Sequence, residues 1–342
     1  VKTAKTRLNK SLTSRDLARM LGVSQSMVSR AFNPQASIAR EMRSRIIETA
    51  EALGYRPNVV ARNLATRSSR IVGVIMGMTD NPFYAMVLDR LSRALQHAGY
   101  QPFLFSVPAG EEADAQLPLL RQNNIETVII ASATISSSIA NEWARTGRKA
   151  ILFNRTVPKA SVASVSCDNV EGARAVADHL AGLGRRRIGL VAGRRDTSTN
   201  LDREHGFLER LGELGIGLTG RVEGGDYTFA AGHAAALALA PLHPDAIFFA
   251  NDIMALGGID AIRYQLGLRV PEDIAVVGFD DIPMAAWPGY DLTTVRQPVE
   301  RMIEDTVSLV AQEAGWTTDA PARIAHAGNL IVRGSTIPRR TG

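Results

Sequence analysis

From Ile71 to Gly278 the chain alternates short apolar runs with longer stretches of helical period, a rhythm that leaves few architectures open. Ile71 to Met76, Gln101 to Ser106, Val128 to Ala131 and Ala150 to Phe153 have the length and density of buried strands. Helices are expected between them, over Ala85 to Gly99 and near Asp114 to Gln122. The second half repeats the pattern, with a helix at Gly172 to Gly184 and strands at Ile188 to Ala192, Ala246 to Ala250 and Ile274 to Gly278. Such alternation builds an α/β body of parallel sheets covered by helices, and its length asks for two lobes. Ligands in such folds bind beyond the carboxyl ends of the strands. The residues there are Asp80, Asn81, Phe83, Ser132, Asn154 and Arg155 in the first half. In the second they are Asp196 to Asn200, Asn251, Asp252, Asp280 and Asp281. Amides, carboxylates and arginine with an aromatic or two suit a polyhydroxylated ligand, whose hydroxyls need paired donors and acceptors.

The first 70 residues are different in kind. They hold 14 basic and 4 acidic side chains, a charge of +10, which leaves −5 for the remainder of a chain whose net charge is +5. A basic head on a mildly acidic body points to a polyanion at one end only. Thr13 with Asp16 makes a capping box, Leu17, Ala18 and Leu21 share a face, and Gly22 stops the helix. Ser24 caps a second helix carrying Val28, Ala31 and Phe32, which Asn33-Pro34 ends. Met42, Ile46, Ala50 and Leu53 form the stripe of a third, closed by Gly54. The first two helices and their short turn make a helix-turn-helix.

The second helix presents Gln25, Ser26, Ser29 and Arg30 on its polar side. Gln pairs bidentately with adenine, Arg with guanine and Ser with either, so this is a face for the major groove of double-stranded DNA. Arg15, Arg19, Arg40, Arg43 and Arg45 on the flanks are candidates for phosphates.

The run from Leu17 to Asn33 resembles the headpiece of the LacI/GalR family of bacterial transcriptional regulators, and Leu53 to Asn58 with Ala61 to Leu64 resembles its hinge. In the body, Asn81 to Tyr84, Asp168 to Ala173, Asn251 to Gly257, Val277 to Pro283, Leu292 to Pro298 and Val332 to Thr336 are similar to family signatures, in order along the chain. Three positions depart from the family pattern. Met27 and Met42 stand where Thr is usual, and Ala39 where a Ser cap is usual.

The resemblance implies a headpiece over 1–57, a hinge helix and linker over 58–70, and a periplasmic-binding-protein-like sensor and dimerisation domain over 71–342. Its lobes would be discontinuous, the first about 71–167 with 297–325, the second about 168–296 with 326–342. The hinge segment Val59 to Leu64 is too short to be stable alone. By resemblance it folds on the operator in a dimer, with Asn58, Ala61 and Leu64 among its contacts and Leu64 wedged into a minor-groove step. Carried over by position, the effector contacts are Phe83, Asn154, Arg203, Tyr227, Asn251 and Asp280, Tyr227 being the aromatic that covers the ligand. Arg155 joins them on the strand-end argument. The expected effector is a sugar or a sugar acid, the acid gaining if both arginines face the cleft. No leucine-rich tetramerisation helix follows Ser335, so a homodimer on a pseudo-palindrome is expected.

Other classes fit less well. A periplasmic sugar-binding protein would share the body without the basic helix-turn-helix, and no apolar leader core follows the basic start. A cytoplasmic, nucleoid-associated place is therefore expected, and no run is long enough for a membrane span. The six histidines are scattered without metal-ligand spacing, and no glycine-rich nucleotide loop follows the first strand, so neither an enzyme nor a cofactor is expected. Cys167, the single cysteine, is expected as a small buried residue, and Arg185-Arg186-Arg187 as a surface turn rather than a phosphate site.

Overall fold

The computed structural model describes residues 12–32, 36–55, 69–77, 81–107, 117–123, 125–131, 142, 145, 148–157, 162–312 and 321–337. The chain divides into two compact units, 1–69 and 70–342. In the first, helices α1 (Ser14–Leu21), α2 (Gln25–Ala31) and α3 (Arg40–Ala52) enclose a small core of Leu17, Ala18, Val28, Ala31, Ile46, Ala50 and Tyr55. The capping box forms in both directions: Asp16 N donates to Thr13 Oγ1 and Thr13 N to Asp16 Oδ2, each at 3.2 Å. Gly22, at φ +69°, takes the left-handed position that closes α1, and Ser24 Oγ accepts from Met27 N to open α2. Ala39 opens α3 with no side-chain hydrogen bond. Met27 and Met42 pack partly against the core.

The second unit holds two six-stranded sheets. The first lobe is built on β1 (Ile71–Gly77), β2 (Gln101–Val107), β3 (Thr127–Ala131), β4 (Lys149–Phe153), β5 (Ala163–Asp168) and β11 (Arg323–Ala327). Their order is β11-β5-β4-β3-β1-β2 and all neighbours are parallel. The second lobe uses β6 (Ile188–Ala192), β7 (Leu218–Glu223), β8 (Ala246–Phe249), β9 (Ala275–Asp280), β10 (Thr293–Arg296) and β12 (Asn329–Ile331), in the order β12-β10-β9-β8-β6-β7. Only β12 runs antiparallel to its neighbour. The chain therefore changes sheet after β5, after β10 and after β11.

Described helices are α4 (Pro82–His97), α5 (Leu117–Gln122), α6 (Asn169–Gly182), α7 (Ser198–Glu213), α8 (Phe229–Leu239), α9 (Asp252–Asp260) and α10 (Val299–Ala311). Among the described residues no helix is long and apolar enough to cross a membrane. Strands β5, β7 and β10 escape the apolar pattern. β10 is the clearest case, because its buried Thr293 and Thr294 hydroxyls find partners far along the chain, at Arg333 O and Asp252 Oδ1. The arginine triplet bonds to backbone: Arg185 to Pro271 O, Arg186 to Ala181 O and Arg187 to His243 O. Its guanidiniums tie loops together, which accounts for them without a phosphate.

Candidate functional site

In the headpiece Gln25, Ser26, Ser29 and Arg30 are all exposed on α2. Gln25 Nε2 donates to Ser14 Oγ at 3.0 Å, and the Ser24 and Ser26 hydroxyls lie 2.9 Å apart. These are exchangeable surface bonds, so a base edge can replace either partner. Arg43, expected on the phosphate-facing flank, is instead half-buried. Its Nη2 donates to Ala36 O at 2.7 Å and its Nη1 to Ala31 O at 3.3 Å, so it pins the α2–α3 connection. Asn58, Ala61 and Leu64 lie outside the described residues, as do Asp80 and Ser132.

In the body, a cleft of about 330 Å³ lies where the strand ends of both sheets converge. The first lobe lines it with Asn81, Phe83, Tyr84 and Asn154. The second contributes Thr197, Thr199, Arg203, Tyr227, Asn251 and Asp280. Three of these have left-handed backbone: Asn154 at φ 55°, Tyr227 at 57° and Asp280 at 123°. Strain of this kind persists only where surroundings hold it, and it clusters at functional sites.

The second-lobe wall is a charge-balanced network. Arg203, 4% exposed, donates through Nε to Asn169 Oδ1 (2.8 Å), through Nη1 to Ala250 O (2.5 Å) and through Nη2 to Asp280 Oδ1 (3.2 Å). Its guanidinium lies 3.7 Å from the centre of the Phe279 ring. Asp280 also accepts from Gln297 Nε2 at 2.7 Å. Burial pushes the Asp280 carboxyl up, against the pull of Arg203 and Gln297. Behind it Asp252 is fully buried, accepting from Thr294 Oγ1 at 2.5 Å and Ile282 N at 2.9 Å. Burial raises that carboxyl further, and Asp280 adds to the rise.

The amides are only half used. Asn251 Oδ1 caps α9 by accepting from Met254 N, yet its Nδ2 has no hydrogen bond within the protein. Asn154 Oδ1 has none either, and both residues are at most 3% exposed. A buried donor and a buried acceptor on the two walls are what a hydroxylated ligand would satisfy.

Residues 13–58 match the family described as bacterial regulatory proteins, lacI family, and residues 177–336 match the periplasmic binding protein-like domain. The chain is 32% identical over 334 residues to the HTH-type transcriptional regulator reg1 of Streptomyces lividans, covering 94% of this chain and 95% of that protein. This chain belongs to the lacI family of bacterial regulatory proteins. Its fold is similar to the lac repressor dimer bound to operator and the anti-inducer ONPF, at a TM-score of 0.85 and 26% identity over 96% of this chain and 99% of that one. A complex of the transcriptional regulator CelR with cellobiose gives 0.70 and 28% identity over 94% and 99%.

In this lacI-family regulator the cleft gathers Phe83, Asn154, Arg203, Tyr227, Asn251 and Asp280. Arg155 is not among the lining residues. It is 8% exposed, and burial lowers its guanidinium to about 10 while Tyr84 and Asp196 hold it charged. It lies within charge-interaction range of Tyr84, which does line the cleft, so it stands behind that wall and not on the lining itself. Asn81, Thr197 and Thr199, expected only as strand-end residues, also line the cleft, and so does Tyr84. Asn81 and Thr197 are visible in the sequence as residues at strand ends that start helices, whereas nothing in the sequence marks Tyr84 beyond its signature. Cys167 is buried, and its thiol is pushed up to about 12 by burial, far from a nucleophile.

Proposed function

We propose that this regulator represses transcription from a pseudo-palindromic operator as a cytoplasmic homodimer, and that a neutral sugar in the cleft sets its grip on DNA. The observation that carries the ligand class is the Arg203–Asp280 pair. Its cation is already matched by the Asp280 carboxylate, so an anionic ligand gains no free positive charge. A sugar hydroxyl, donor and acceptor at once, fits both members of the pair. It also fits Asn154 Oδ1 and Asn251 Nδ2 across the cleft. The named ligands of similar proteins, cellobiose and ONPF, are likewise uncharged glycosides.

A ligand touching both lobes favours one lobe arrangement over another, and coupling of about 1–3 kcal/mol gives roughly 5- to 150-fold control of DNA affinity. The test is calorimetry with D-glucose, D-galactose, D-ribose, D-gluconate and D-glucuronate. Binding by a neutral sugar, with the acids weaker, is expected; tighter binding of either acid overturns the charge argument. DNA affinity should fall steeply with salt as counterions return, and removal of residues 1–69 should abolish it.

A further inference from the structure

We propose that Gly193 is a specificity-determining residue of the cleft, because its missing side chain is what lets Tyr227 lie back and leave room for the ligand ring. This rests on the reading of the cleft as the effector site. A Cβ built on Gly193 would stand 2.2 Å from Tyr227 Cε1 and 2.3 Å from its Cζ and Oη. Those three nearest atoms all belong to one side chain. Gly193 is not in the left-handed region, so the turn itself does not ask for glycine. Tyr227 does.

The ring cannot easily move aside. Its hydroxyl lies 2.8 Å from Thr197 Oγ1, which gives its own hydrogen to Arg194 O at 3.0 Å, so the phenol is the donor. Its backbone is fixed at φ 57° after the Gly224-Gly225 turn, whose Gly224 N donates to Ala192 O at 2.6 Å. Gly193 is fixed as well, since its N donates to the buried Asn200 Oδ1 at 2.5 Å. With both sides held, a methyl group at position 193 has one outlet: it drives the ring forward into the cleft. Ordinary contact begins near 3.4 Å, so the displacement is about 1 Å.

Two measurements test this. Crystal structures of the full-length protein and its Gly193→Ala variant should show the Tyr227 ring advanced by about 1 Å and the cleft reduced. An unmoved ring overturns the proposal whatever the ligand turns out to be. Calorimetry with D-glucose, D-galactose and D-ribose then closes a double-mutant cycle. Gly193→Ala should weaken the sugar that binds wild type by tenfold or more, the scale of a misplaced methylene in a pocket. In a Tyr227→Ala background the same substitution should cost nothing further. Equal losses in both backgrounds would mean that Gly193 acts without Tyr227, and the proposal falls. Retained operator binding shows each variant to be folded. If none of the three sugars binds wild type, the neutral-sugar reading fails, while the ring position still decides the role of Gly193.

Discussion

In the headpiece Gln25, Ser26, Ser29 and Arg30 stand exposed on one regular helix, whereas in the body Asn154, Arg203, Asn251 and Asp280 are each at most 5% exposed. The headpiece builds its core from separate residues on the opposite side, so recognition and stability there are carried by different side chains. In the body the same side chains serve both. Arg203 faces the cleft and also joins α6, the end of β8 and the end of β9 through three hydrogen bonds. The contrast is that a headpiece contact can be changed without touching the fold, and a cleft contact cannot.

The largest effect should come from Arg203→Ala. Removing one partner of a buried pair leaves the other uncompensated, at a cost of about 3–5 kcal/mol. Calorimetric unfolding should show the body melting earlier, and sugar binding should vanish together with that stability. Loss of binding at unchanged stability would break the contrast, since it would make Arg203 a contact like those of the headpiece.

The same contrast explains how legible each unit is. Regular helices announce themselves by spacing, and the observed α1 and α2 begin directly after Thr13 and Ser24 and end by Gly22 and Phe32. The strands at the cores of both sheets are equally plain, being short apolar runs. Strand β10 is hidden because Thr293 and Thr294 are buried through partners some 40 residues away. In the cleft, strand-end position was enough to bring out Asn154 and Asp280. For Arg155 it reached only the layer next to the lining, beside Tyr84. Arg43 misled. Its charge suggested phosphate, but only the fold brings two backbone carbonyls, Ala31 O and Ala36 O, to its guanidinium.

The next effect belongs to the other side of the comparison. Arg30→Ala should cost roughly 1–3 kcal/mol of operator binding and relax preference at one base pair. An exposed substitution away from special features stays within about 0.5 kcal/mol in stability, so the melting temperature should not follow. Binding titrations on a base-substituted operator set, beside thermal unfolding, separate the two quantities. A fall in headpiece stability matching the lost affinity would show that the reading face is structural after all.

A pH profile sharpens the body's half. Asp252 has its folded-state pKa raised above the unfolded 3.8, mainly by burial and then by Asp280. The folded protein therefore holds that proton more tightly than the unfolded chain. The stability this group contributes is complete below its unfolded value and is lost as pH rises through the raised one, at up to about 1.4 kcal/mol per pH unit. Asp252→Asn keeps an acceptor for Ile282 N and removes the titration, so its stability should decline less between pH 5 and pH 8 than wild type does. Parallel pH profiles for the two would mean that Asp252 does not titrate differently on folding.

The smallest effect tests whether headpiece stability is indeed separable from recognition. Helix α3 starts at Ala39 with no side-chain acceptor for its first free N–H groups, while α1 and α2 are capped by Thr13 and Ser24. Ala39→Ser supplies that acceptor at a position whose backbone, φ −59° and ψ 134°, already has an extended ψ. A good N-cap is worth about 0.5–2 kcal/mol over alanine, so the headpiece should unfold later by that amount. None of the four side chains on the reading face is altered, so the preference among operator bases should stay as it is. Amide hydrogen exchange over α3 measures the first quantity and operator competition the second. Slower exchange with unchanged base preference is the expected result. A shifted preference would mean that α3 positions the reading helix, and the separation drawn for the headpiece would not hold.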